Sequence, residues 1–446
     1  MKRTIDEKLL DWKISPQRKP LVLQGARQVG KTYAVTIFGE KHFKNIFKLD
    51  FLASKELVEL FSSLKSYSPQ NIIQQLEFYF RKKIDIKSDL VFFDEIQECP
   101  SAITALKYFS EDMTELAIIC AGSYLGIMTN EDSFPVGKVE YLSMTSCTFE
   151  EFLGVSDSDL KNIYSSINFS EHSQIPTLYH QALLTQWRKY LALGGMPEVI
   201  NVYMREAKNG ELNALSKART TQEQLLEGYR SDFSKHSGKV NANHISHVFD
   251  AIPHQLSKAF DESVNRFHFT GVVPNKKGFE RIRGPLTWLI KARLVIKTFI
   301  ANKAQHPLKG FCDENRFKLY FFDVGLLQAS LLVPMEAIVS EELGSYKGYI
   351  VENFVAQELF HRLNSDLFSW SEGSSEVEFI INQGKYLTPI EVKSSAKFSR
   401  TKSLNSFIER YSPTIAYKIS LQNRGYDPVR KMLTLPIYLI GKLELA

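Results

Sequence analysis

Residues 19–32 read KPLVLQGARQVGKT, and the fold of the N-terminal third turns on how this stretch is read. The run PLVLQ is short, apolar and closed by a glycine, the pattern of a buried strand. Behind it, Gly25, Gly30, Lys31 and Thr32 stand in the register G-x-x-x-x-G-K-[ST], and the chain continues as the helical pattern GKTYAVTIFGEKHF. A loop of this form, made of Gly25, Ala26, Arg27, Gln28, Val29 and Gly30, can wrap so that its backbone N–H groups face phosphate oxygens. The helix N-terminus behind it adds a positive end. Lys31 is then placed to reach the β and γ oxygens, and Thr32 to ligate magnesium. ATP with Mg2+ is the expected cofactor pair.

A second apolar run, DLVFFDEIQ, ends in Asp94 and Glu95. In open α/β sheets ligands bind at the carboxyl ends of the strands. Asp94 is therefore expected to face the magnesium shell and Glu95 to polarise the attacking water. LAIICAGSYLG reads as a third buried strand. Strands apolar on both faces with helical segments between them predict a parallel sheet covered on both sides. Residues 1–155 are expected to form this ATPase-type α/β domain.

The chain has 446 residues, too many for one core to organise, so several domains are expected. Hydrophobic residues make up 44% and charged residues 24%, the composition expected of a soluble globular protein. No apolar run of roughly 18 residues is present and MKRTIDEKLL is not a signal-peptide pattern, so a cytoplasmic protein without a membrane span is expected. Cys99, Cys120, Cys147 and Cys312 lack the spacing of a disulfide framework or a zinc site. The net charge of +5 is unevenly placed: residues 276–318 carry eleven Lys or Arg against three Asp or Glu. That block points to a polyanionic partner such as DNA, with a solvated basic face as the other reading.

Beyond residue 155 the pattern becomes mostly helical, with a helical lid expected over 156–240 and a further region over 241–340. SDSDLKNIYSSINFSEHSQ is the linker candidate. LTWLIKARLVIKTFI followed by RFKLYFFDVGLL has the helix-then-strand order of a winged helix. Read as one helix, the first segment would lay Lys291, Arg293 and Lys297 along a nucleic-acid groove; the other reading makes its apolar residues core and its cations a solubilising face. Residues 341–446 give a smaller α/β domain: the helix GYIVENFVAQELFHRL, then strand-like EVEFIIN, YLTPIEVK and PIYLIG. Glu391 and Lys393 lie two apart on one strand, so they project to the same face.

The loop at 25–32, FFDEIQ, CAGSYLGIM and SFPVGKVEYLSMTSCTFEEFL, continued by YLALGGMPEVI, YRSDFSKH, LTWLIKARLVIK, FKLYFFDVGLL and GYIVENFVAQEL, resemble the AAA-type ATPases that carry a C-terminal DUF4143 region. The resemblance implies an AAA-type parallel sheet, a helical or winged-helix middle, ATP hydrolysis and a homo-oligomer. It also implies a sensor residue at Ser123. Where many relatives have an arginine after FPVG, this chain has Lys138, which lacks the bidentate fork. The end of the chain resembles the PD-(D/E)xK nuclease fold, with Glu352, Glu378 and Glu391 as the implied metal ligands and Lys393 as the catalytic lysine. Glu378 stands where that pattern has aspartate. Either a metal-dependent nuclease or a degenerate scaffold, with Glu391 and Lys393 as an ion pair, follows from these residues.

Overall fold

The computed structural model describes residues 2–64, 67–123, 135, 137–237, 239–258, 266–274, 278–340, 347–394 and 401–444. The stretch after Ser123 in CAGSYLGIM, all of SFPVG but Pro135 and Gly137, and Lys276 and Lys277 of the basic block lie outside these. The chain divides into two compact units, residues 2–145 with 291–293, and residues 146–290 with 294–446.

The first unit is built on five parallel strands, β1 (Leu21–Gln24), β2 (Ile46–Asp50), β3 (Leu90–Asp94), β4 (Ala117–Gly122) and β5 (Glu140–Ser143), in the order β2-β3-β4-β1-β5. The expected parallel sheet is present. β3 and β4 are buried along their whole length, which is why they read as unbroken apolar runs. β2 and β5 are the edges and are only partly buried. Their mixed sequences, IFKLD and EYLS, carry no such run and gave no strand signal. Val91, Phe93, Ile118 and Cys120 pack with Leu57, Phe61, Ile72 and Phe109 from the covering helices.

The second unit has a helical half and an eight-stranded sheet. The sheet contains β6 (Val295–Ala301), β7 (Cys312–Phe321), β8 (Leu367–Glu372), β9 (Ser375–Gln383), β10 (Tyr386–Val392), β11 (Ala416–Ser420), β12 (Gly425–Asp427) and β13 (Met432–Pro436), in the order β12-β13-β11-β10-β9-β8-β6-β7. Several expectations change here. LTWLIKARLVIKTFI is not one helix: the helix Arg283–Lys291 ends, Arg293 takes a left-handed φ of 62°, and the β-branched run that follows becomes β6. β6 pairs antiparallel with β7 and parallel with β8, so hydrogen bonding crosses the expected boundary at residue 340. The linker candidate contains the helix Ser158–Ser166, which buries Leu160 and Tyr164. PIYLIG runs into the 3-10 segment Ile437–Lys442 rather than a strand.

The motifs LALGG and FFDVG serve packing. The helix Thr177–Leu193 ends at Gly194, where φ is 73° and a Cβ would lie 2.1 Å from Asp323 Oδ1. Asp323 accepts from the N–H groups of Gly195 (2.7 Å), Gly325 and Leu326 (both 3.1 Å), capping the helix Val324–Ser330. The last carbonyls of the first helix are taken by side chains: Gln222 Nε2 donates to Ala192 and Leu193, and Gln328 Nε2 to Leu191. Helix ends buried this deeply need such partners. Asp323→Ala would leave three buried donors unmet, and at about 1–3 kcal/mol for each the loss in a urea unfolding experiment is expected to exceed about 3 kcal/mol. Unchanged stability would contradict the capping role.

Candidate functional site

The nucleotide-type site is assembled at the carboxyl ends of β1, β3 and β4. Gly25 leaves β1 so close to the neighbouring chain that a Cβ would stand 2.2 Å from Met144 O. Gln28 and Gly30 take left-handed φ values of 63° and 95°. The latter is the residue before the helix Lys31–His42, and only glycine takes such a value without strain. Arg3, buried and distant in sequence, donates from Nη1 to Val29 O (3.1 Å) and from Nη2 to Thr145 O (2.8 Å), which ties the loop to the chain after β5.

Lys31 is buried, with Nζ donating to Gly25 O (3.1 Å), Ala26 O (2.8 Å) and Ser123 Oγ (3.2 Å). Burial lowers its pKa to about 8, against the pull of Glu95 and Asp94. Ser123 follows β4 directly and meets the lysine, so these two expected site residues come together. Thr32 Oγ1 donates to Asp94 Oδ1 at 3.0 Å. A hydroxyl and a carboxylate held side by side are the hard oxygen donors that magnesium takes, so the residues fit the ion the loop implies.

Glu95 follows β3 with φ 50° and ψ 45°, a left-handed conformation uncommon outside glycine. Its Oε2 accepts from Gln97 Nε2 at 2.5 Å. Strained backbone of this kind is held at functional positions by the surrounding structure. Sequence reasoning missed Arg3, Gln97 and Lys48. Lys48, on β2, lies 2.9 Å from Asp94 Oδ2 and 3.6 Å from Asp50 Oδ2. The in-register pairing of Asp50 with Asp94 is its structural basis, and the ending KLD of an edge strand was the one signal. Lys138 forms a half-exposed pair with Glu111 at 2.8 Å.

The C-terminal residues are joined by buried ion pairs and hydrogen bonds. Glu352, on the helix Lys347–Leu363, meets Lys318 of β7 at 3.0 Å, and the same ammonium contacts Glu376 of β9. Tyr320 also donates to Glu352. Burial works against the charge on Lys318, yet Glu352 and Glu376 raise its pKa well above the usual lysine value. Glu378 Oε2 accepts from Val392 N at 3.1 Å. Burial, then the charge of Glu391, push Glu378 up to about 8. Glu391 pairs with Lys393 at 2.6 Å. Among the described residues, no group of three or more His, Cys, Asp or Glu side chains is arranged to hold a metal ion. Glu352, Glu378, Glu391 and Lys393 nonetheless lie within electrostatic reach of one another, with Lys318 and a backbone amide as further partners. Beside Glu352, Asn353 binds both backbone groups of Phe321 and Gln357 accepts from Val324 N, which fixes the helix on the end of β7.

The expected helical row of cations is also absent. Lys297 lies on β6, over the rings of Phe299 and Phe317, while Lys291 ends a helix and Arg293 sits in the turn after it. Among the described residues, three of the eleven cations of the basic block have carboxylate partners: Arg283 pairs with Glu314, Lys309 with Asp366, and Lys318 as above.

Three family models match successive parts of the chain. The AAA domain family matches residues 17–153, a domain of unknown function, DUF8612, matches 184–337, and a second, DUF4143, matches 347–439. The chain carries an AAA domain followed by a C-terminal DUF4143 region. It is similar to the uncharacterized protein MJ1544 of Methanocaldococcus jannaschii, at 24% identity over 393 residues, 85% of this chain and 74% of that one. Among solved structures it is similar to C. elegans PCH-2, at 14% identity and a TM-score of 0.29, covering 50% of this chain and 65% of that one. It is also similar to a Thermotoga maritima RuvB variant, at 11% identity and a TM-score of 0.31, covering 68% and 89%. Among the described residues, no helix is long and apolar enough to cross a membrane.

Removing one partner of a buried ion pair is costly because it strands the other charge. Lys318→Met is therefore expected to lower the stability of the second unit by about 3–5 kcal/mol in denaturant unfolding. Stability equal to the unsubstituted protein would show that the lysine is not the counter-charge of the cluster.

Proposed function

We propose that the chain binds and hydrolyses ATP at the loop 25–32 and uses nucleotide state to control a DNA-contacting C-terminal region. The observation that carries the first part is the convergence of Lys31, Thr32, Asp94 and Ser123 on the loop. In this reading the backbone N–H groups of residues 26–31 and the Lys31 ammonium hold the phosphates. Thr32 and Asp94 hold magnesium, which would offset the phosphate charge as it develops at transfer. Glu95, aimed by Gln97, orients and polarises water, and Ser123 senses the γ-phosphate side through Lys31. Assembly into a homo-oligomer belongs to the same reading, in line with the family resemblance.

The DNA part is supported by a pocket in the second unit. His254 and Lys258, on the helix Lys239–Lys258, line it with Arg266 and His268. Gln255 exchanges hydrogen bonds of 2.8 Å with both backbone groups of His268, and Phe267 N donates to Phe317 O of β7. The backbone carrying Arg266 and His268 is thereby tied to the helix and to β7, and no described carboxylate lines the pocket. Cations held in this way suit a phosphate backbone. For the nuclease-like end, the placement of Lys318 between Glu352 and Glu376 favours the second reading, a scaffold that does not cleave.

Lys31→Ala is expected to abolish ATP turnover in a phosphate-release assay, and Glu95→Gln to retain ATP binding while turnover falls by about 10²-fold or more. Turnover at the unsubstituted rate in Lys31→Ala would refute the site. In fluorescence anisotropy with a short labelled duplex, Lys258→Glu combined with Arg266→Glu is expected to weaken binding and lower the salt slope by about two. Unchanged binding and slope would place the DNA contact elsewhere. With Mg2+ or Mn2+ the protein is expected to cut no DNA, and Glu378→Asp to leave it silent; cleavage by either would restore the nuclease reading.

A further inference from the structure

Asp94 is 4% exposed and both of its oxygens are engaged. Thr32 Oγ1 donates to Oδ1 at 3.0 Å, and Lys48 Nζ meets Oδ2 at 2.9 Å. Thr32 and Asp94 are the two residues that fit magnesium, so Lys48 puts a fixed positive charge on the carboxylate the ion would use. A divalent cation at that carboxylate and an ammonium on its other oxygen repel one another, so each weakens the hold of the other.

Lys48 has somewhere to go. It is the half-exposed residue of β2, with 38% of its side chain accessible. Asp50, two positions on, projects from the same face of the strand. The Asp50 carboxylate is 37% accessible and already held in place, with Oδ1 accepting from Ala53 N at 3.0 Å and Oδ2 lying 3.6 Å from Lys48 Nζ. Because Asp50 and Asp94 are register partners on adjacent parallel strands, a rotation about the lysine stem exchanges one carboxylate for the other with no backbone movement.

We propose that Lys48 is a resident counter-cation of the magnesium position, holding Asp94 when no divalent ion is bound and passing to Asp50 when one arrives. It thereby sets the magnesium concentration at which the site loads with nucleotide. This rests on reading the loop 25–32 as an ATP site. Buried Asp94 keeps a positive partner in both states, so the loop does not have to rearrange to accept the ion. Lys48 acts through Asp94 and is a positioning residue.

The test is binding of a fluorescent N-methylanthraniloyl ATP to the full chain, titrated with magnesium from EDTA-treated protein, so the readout is loading and not turnover. Lys48→Met is expected to reach half-saturation at several-fold less magnesium, because the competing cation is gone. Asp50→Asn is expected to need several-fold more, because Lys48 loses its second partner and stays on Asp94. If Lys48→Met fails to fold, Lys48→Gln, which keeps a donor to Asp94 without the charge, is expected to shift in the same direction. Equal magnesium midpoints for all variants would overturn the proposal. Loss of nucleotide binding by Lys48→Met in excess magnesium would also overturn it, by making Lys48 a phosphate ligand, while the ATP reading would stand. Absence of any nucleotide binding by the unsubstituted chain would overturn both.

Discussion

A carboxylate cannot be buried at the end of a strand without partners, and Asp94 finds its own on two other elements. The Thr32 hydroxyl comes from the helix that follows the glycine loop, and the Lys48 ammonium from the edge strand β2. That triple contact ties β2, β3 and the helix Lys31–His42 together at the carboxyl end of the sheet. The strand order then brings Ser123, at the end of β4, onto Lys31. The site is thus a consequence of satisfying buried polar groups in a parallel sheet whose interior strands are apolar throughout.

The two units treat buried carboxylates by the same means and to different ends. In the first, Lys48 is half-exposed and lies near a second carboxylate, Asp50, as well as Asp94. In the second, Lys318 is buried between Glu352 and Glu376, with Tyr320 on Glu352 as well. Displacing that lysine would strand its charge in a medium that does not solvate it.

What the sequence disclosed follows from how local each feature is. The loop at 25–32, the interior strands β1, β3 and β4 and the glycine break at Gly194 are contiguous signals, and all were legible. The edge strands β2 and β5 were not, because half-buried strands only a few residues long have too few apolar positions to show a period. The segment from Leu286 to Ile300 was misread as one helix since its apolar spacing fits either period, and the turn at Arg293 decides between them. Glu352, Glu378, Glu391 and Lys393 were found as a pattern, but Lys318, which pairs with Glu352, is a single lysine in a basic block, far from them in sequence. Arg3 and Lys48 escaped notice for the same reason: their partners are made by tertiary contact alone.

Whether Thr32 and Asp94 hold a magnesium ion against phosphates cradled by residues 25–32 is decided by a structure of the chain determined with a non-hydrolysable ATP analogue and magnesium. The β-phosphate is expected within hydrogen-bond reach of the loop amides and Lys31, the ion on Thr32 Oγ1 beside Asp94, and Lys48 on Asp50. A nucleotide bound elsewhere, or an ion that does not touch Thr32, would contradict the proposed site.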